Sequence, residues 1–189
     1  MSYLNRQTNT FFIALICLFT VVSITFPMSS HAASATEIDI GVEEALKRFK
    51  TEISGGQTFL KKAKAALIFP SVIKAGLVLG GEYGEGALKV DGKTIDYYST
   101  AAASIGFQLG VQSKTIVLLF MTKDALKTFQ ASEGWKAGVD GSVALIEWGV
   151  GEDINTLDIE DPIVGFVFSN KGLMYNLTLE GSKFTKIVK

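Results

Sequence analysis

The sequence predicts an α+β domain: helices grouped at its N-terminus, packed on a curled, mostly antiparallel and barrel-like β-sheet. Three observations carry this reading. Apolar residues recur at helical spacing between Ile38 and Leu67, and from Val72 onward they fall in short runs rich in β-branched and aromatic residues. Glycine recurs inside those runs, at Gly76, Gly80, Gly81, Gly84, Gly86, Gly106, Gly110, Gly138 and Gly141. It costs strand propensity and is used where a sheet bends tightly or another backbone packs close. No repeat period or linker divides residues 33–189, which read as a single domain.

Taken in order, residues 1–32 read as a cleavable signal peptide. Arg6 lies in a short polar segment, residues 11–26 are mostly apolar, and Ser30-His31-Ala32 ends in the small-x-small pattern that directs cleavage before Ala33. The apolar run falls short of the roughly 20 residues that a spanning helix needs. Cys17, with bulky Ile16 before it and apolar residues after it, does not fit a lipidation site. The protein is therefore expected to be exported, to a periplasm or the extracellular space, and to carry no membrane-spanning segment once processed.

After a polar approach over residues 34–39, Ile38, Val42, Ala45, Leu46, Phe49 and Ile53 form one helical stripe, which Gly55-Gly56 breaks. Thr58 is read as the cap of a second helix with Phe59, Leu60, Ala63 and Leu67 inward, ended by Pro70. Residues 87–90 and 93–98 flank Asp91-Gly92, a dipeptide suited to the positive φ values of a type I′ hairpin. Residues 104–111 and 115–121 are read as a second hairpin around Gln112-Ser113-Lys114. Thr122 caps a short helix, residues 123–130, with Ala125, Leu126 and Phe129 inward, ahead of a turn at Glu133-Gly134. Strands resume at Lys136, with residues 138–146, 163–168, 173–179 and 183–188 completing the sheet.

Composition narrows the chemistry. The one Cys and the one His both precede residue 33, so the mature chain of 189 − 32 = 157 residues has neither. Thiol or His-assisted nucleophilic catalysis and zinc or haem held by Cys and His are thereby excluded, and no cofactor is expected. Removing Arg6 leaves 17 basic against 19 acidic residues, a net of −2, without the basic excess of a nucleic-acid binder. Residues 87–94, Ala-Leu-Lys-Val-Asp-Gly-Lys-Thr, satisfy a relaxed phosphate-loop pattern, but strand-like sequence on both sides of Asp91-Gly92 makes this a hairpin turn. Glu152, Asp153, Asp158, Glu160 and Asp161 lack calcium-loop spacing, and nothing fixes them as a glycosidase pair beside Trp135 or Trp148. Asn176-Leu177-Thr178 matches a glycosylation acceptor but falls in an expected core strand. The protein is read as non-enzymatic.

Several ordered motifs carry a resemblance. Phe69-Pro70 follows a Lys-Ala segment; Leu79-Gly80-Gly81-Glu82-Tyr83-Gly84-Glu85-Gly86 is a glycine-rich run; Ala103-Ser104-Ile105-Gly106-Phe107-Gln108-Leu109-Gly110-Val111-Gln112 follows; and Lys171-Gly172-Leu173-Met174-Tyr175-Asn176-Leu177-Thr178-Leu179-Glu180-Gly181 closes the set. Over roughly residues 40–187 the chain resembles the SYLF family. The resemblance implies a lipid-binding domain. Eukaryotic members are associated with phosphoinositide membranes through the N-terminal helical region, some fungal members with actin, and the export signal here is similar to that of bacterial envelope members.

The residues themselves single out the same helical region. Lys47, Arg48, Lys50, Lys61, Lys62 and Lys64 face only Glu43, Glu44 and Glu52, a local net of +3 in a negatively charged chain. Pairing of Glu43 with Lys47 and Glu44 with Arg48, each at i,i+4, would leave four basic groups for an anionic surface. At about 1 kcal/mol per group these give a millimolar-grade attraction, so apolar contact from Phe59, Leu60 or Phe69 would also be needed. The expected partner is thus an anionic lipid or membrane surface, with lipid-binding residues Lys47, Arg48, Lys50, Lys61, Lys62 and Lys64. The alternative is a scaffold that uses the same face for an envelope protein.

Overall fold

The computed structural model describes residues 32–76, 79–105, 111–146, 161–169, 172–173 and 179–189, within the compact unit Ala33–Lys189. Residues 1–31 of the export signal and most of the acidic stretch, residues 152–160, lie outside the described residues. The first helix, α1 (Ala35–Glu52), starts at a capping box: Ser34 Oγ accepts from the Glu37 backbone N–H while the Glu37 carboxylate accepts from Ser34 N–H. Its predicted stripe is buried in full, from Ile38 to Ile53. The second helix, α2 (Gly56–Lys62), is shorter than predicted and is entered through Gly55 at φ 71°, with no side-chain cap from Thr58.

Strand β1 (Ala65–Gly76) then begins where the sequence suggested that helix continued. The reason is that residues 65–69 are apolar without a break, a pattern that fits a strand buried on both faces as well as a helix. Ala66 and Ile68 pack towards the helices, and Ala65, Leu67 and Phe69 pack on the opposite face. Pro70 is therefore not a helix stop. It lies inside β1 at a bulge, where the register to both neighbouring strands shifts and a proline without an N–H is tolerated.

Next come β2 (Leu79–Val90), β3 (Lys93–Ile105) and β4 (Val111–Phe120), then α3 (Lys123–Ala131), β5 (Trp135–Lys136), β6 (Ala144–Leu145), β7 (Ile163–Ser169), β8 (Gly172–Leu173) and β9 (Lys183–Ile187). The sheet order is β5-β9-β3-β2-β1-β4-β7-β6, with β8 also paired to β7; every pairing is antiparallel except β6 with β7. Asp91 and Gly92 both have positive φ, 49° and 77°, as the predicted hairpin turn between β2 and β3 requires. The second predicted hairpin does not form. Gln112, Ser113 and Lys114 lie inside β4, which pairs with β1 and β7 rather than with β3. Of the strand expected over residues 138–146 only Ala144–Leu145 is strand, because Lys136 N–H is drawn to the Asp140 carboxylate and a turn follows at Gly138. The short helix α3 is capped by Thr122, as predicted, with Phe129 fully buried.

Ring contacts show that the sheet curls. Phe69 on β1 and Phe184 on β9 are three strand positions apart, about 14 Å in a flat sheet. Their ring centroids lie at 5.6 Å. Phe120 on β4 likewise reaches Trp135 on edge strand β5 through Phe129 of α3, at 4.9 and 5.7 Å. One apolar layer thus fills the concave side of a half-barrel, and a second lies between the sheet and α1 and α2, where Phe49 and Phe59 meet Phe166 edge-on at 4.8 and 5.2 Å.

Candidate functional site

Burial of the α1 stripe leaves the opposite side of the helix to solvent, and the helix period decides which lysines stand there. Lys47 and Lys50 on α1, Lys61 and Lys62 in the last turn of α2, and Lys64 just beyond it are all exposed. Among the described residues none of these five ammonium groups forms an ion pair or a side-chain hydrogen bond. Lys64 is not on a helix, since α2 stops at Lys62 and the Lys64 N–H already donates to Phe120 O at 2.8 Å. Lys50, Lys61 and Lys62 occupy helix C-termini, where a cation offsets the macrodipole by itself.

The ion pairs expected inside this region are replaced by others. Glu43 pairs with Lys89 of β2, which frees Lys47. Arg48 pairs with Glu52, not with Glu44, at 3.3 Å, and lies 5.2 Å over the Phe168 ring. Arg48 is thus half-buried and engaged, whereas the five lysines are not. The apolar contacts also move. Phe59 and Phe69 are in the core, at 5% and 0% exposure, and Leu60 is half-buried against it. The large apolar side chain that α1 does expose is Ile40, at 61%. It stands seven residues before Lys47, hence within about 20° of the same face.

Two further charged clusters had no local signal in the sequence, because strand pairing assembles each from distant segments. On the concave side Lys114 is buried beside Glu82 at 2.5 Å, and Lys74 reaches the same carboxylate at 3.6 Å. At the start of α1, Glu85 Oε2 accepts from the Ala33 N–H at 3.1 Å and from Lys189 Nζ at 2.8 Å, while Oε1 accepts from the Tyr83 hydroxyl at 2.8 Å. Burial acts to raise the Glu85 carboxyl, but the hydrogen bonds from Lys189 and Tyr83, the Lys189 charge and the Ala33 N–H outweigh it and hold the group below its ordinary value. Tyr83 is raised in turn, by burial first and then by its bond to Glu85.

Asp39 ties α1 to β3 by accepting from Thr94 Oγ1 and Tyr97 Oη, each at 2.9 Å. Trp135 is 2% exposed and belongs to the concave core, not to a cleft; Trp148 lies outside the described residues.

Among known proteins, residues 101–187 match the family model described as Ysc84, Las17-binding protein actin regulator. The matched stretch begins within β3 and ends with β9, after the basic helical region. No curated protein matches the chain.

Proposed function

Residues 101–187 of this chain belong to the SYLF family, and from that premise we propose that the protein is a non-enzymatic, exported domain that binds anionic lipid at a membrane surface of the cell envelope. The observation that supports it is the clustering of exposed lysines. Lys47, Lys50, Lys61, Lys62 and Lys64 stand exposed and without an ion pair among the described residues and fall within residues 47–64, whereas the other exposed lysines without an ion pair, Lys93, Lys123, Lys127, Lys136 and Lys183, are scattered from β3 to β9. Five such groups at about 1 kcal/mol each give an attraction between millimolar and micromolar, to which insertion of Ile40 would add.

The family description supports a second reading, since it names a protein ligand and attaches to residues 101–187, beyond α1, α2 and the basic region they carry. On that reading the domain is a protein-interaction scaffold. Co-sedimentation of the processed protein with vesicles separates the two. A lipid binder pellets with vesicles rich in anionic lipid, weakly with neutral ones, and less as salt rises. Replacing Lys50→Glu, Lys61→Glu, Lys62→Glu and Lys64→Glu together should abolish pelleting while the fold is kept, because exposed charges contribute little to stability. Absence of wild-type pelleting at every lipid composition moves the reading to the scaffold.

A further inference from the structure

We propose that Glu85 is a built seat for the α-ammonium group that export processing creates on Ala33, so that removal of the signal peptide locks α1 onto β2. The proposal rests on the export reading for the identity of the new N-terminus. Its geometry stands apart from that reading.

Ala33 is gripped on both sides of its backbone. Its N–H points at Glu85 Oε2, and its carbonyl accepts from Lys189 Nζ at 2.8 Å. The next residue is fixed as well, with Ser34 N–H and Oγ both donating to the Glu37 carboxylate. The Glu85 and Lys189 side chains are 10% and 8% exposed, so the carboxylate is largely withdrawn from water at a place where the backbone offers it only a neutral donor. That place is the position at which Ser30-His31-Ala32 predicts cleavage.

In the cleavage step water adds across the Ala32–Ala33 amide. Ala32 leaves as a carboxylate, and the Ala33 nitrogen, taking up a proton, becomes an ammonium. A hydrogen bond from a neutral amide to the Oε2 of an ionised carboxylate is thereby exchanged for one in which donor and acceptor are both charged. The carboxylate then sits between two cations, with Tyr83 holding its other oxygen.

The test uses the exported, processed chain. N-terminal sequencing should return Ala33 as the first residue. The Ala33 amine should titrate above the ordinary 7.7–8.0 by up to about one unit, at most a tenfold gain in proton affinity, because the carboxylate within hydrogen-bonding distance outweighs the Lys189 ammonium that shares Oε2 and opposes a second positive charge. The shift should vanish in Glu85→Gln. Chemical acetylation of the Ala33 amine, which keeps Glu85 and removes only the charge, should lower the melting temperature at pH 7. A raised amine stabilises fully below its unfolded value, and this is lost as pH rises through the folded one, so the acetylation difference should fade above about pH 9. An amine of ordinary pKa with Glu85 intact, or a raised one that persists in Glu85→Gln, overturns the seat. A mature chain that starts elsewhere overturns the link to processing, and the same titration on a chain made to begin at Ala33 shows whether the seat fails with it.

Discussion

Gly86 and Gly92 lie six residues apart on the β2–β3 hairpin and are glycine for different reasons. A Cβ on Gly86 would stand 2.1 Å from Ile68 O and 2.7 Å from Phe69 Cδ1, where β1 bulges towards β2. One obstacle is backbone, so a strand must move, and Gly86→Ala should cost about 2–3 kcal/mol as overpacking does. At Gly92 nothing lies within 4 Å, but φ is +77°. Gly92→Ala should therefore cost about 1 kcal/mol through conformation alone, and Gly92→Asn, which tolerates that region, should recover much of it. Urea unfolding of the three variants checks this. Equal losses at both positions, or an Asn no better than Ala at 92, would remove the distinction. Arg48 shows the same dependence on contacts that spacing hides. Its charge reads as one of six, yet the Glu52 pair and the Phe168 ring make it a structural residue of α1.

Helix α1 is the element whose sequence says most, because its determinants are local. Six apolar residues at helical spacing and Ser34-Ala35-Thr36-Glu37, a capping box that the polar approach conceals, fix its face and its start. Ser34→Ala removes the acceptor for the Glu37 N–H and should cost about 1 kcal/mol, seen as a lower urea midpoint at unchanged slope. Ser34→Asp, which keeps an acceptor, should restore it; a silent Ser34→Ala would mean that the packed stripe alone holds this end. Helix α3 was legible for similar reasons, from Thr122 and the spacing of Ala125, Leu126 and Phe129. The α2–β1 boundary was not, since an unbroken apolar run carries no period and Pro70 signals a helix stop as readily as a bulge. Pairing of β4 with β1 was equally hidden: residues 65–75 meet residues 111–120 across the whole β2–β3 hairpin, and no short-range pattern encodes that. Of the basic region, the exposure of Lys47 and Lys50 could be read from the α1 stripe. Their partners could not, because Lys89 reaches Glu43 from 46 residues away.

At the scale of the whole described unit the central strands decide how stability is shared. Along β4, Val117 and Leu119 face the helices while Ile116, Leu118 and Phe120 face the concave core, and β1 divides in the same way between Ile68 and Leu67. Neither apolar layer can come apart without exposing strands that the other layer also needs, so α1 and α2 should not melt ahead of the half-barrel. A Trp148→Phe chain leaves Trp135, 2% exposed among Phe129 and Phe184, as reporter of the concave layer, and far-UV circular dichroism at 222 nm, the helical band, reports mainly α1. The two signals should fall in one transition. Ile68→Val on the helix side and Ile116→Val on the concave side should each remove about 1 kcal/mol, a few degrees of melting temperature for a domain of this size. Each should shift both signals equally, wherever the methylene was lost. Separate transitions, or a helix-side change that moves the dichroism but not the fluorescence, would show that the basic helices can detach from the sheet on their own, and a membrane role would then have to be argued for a mobile α1 rather than for a fixed surface.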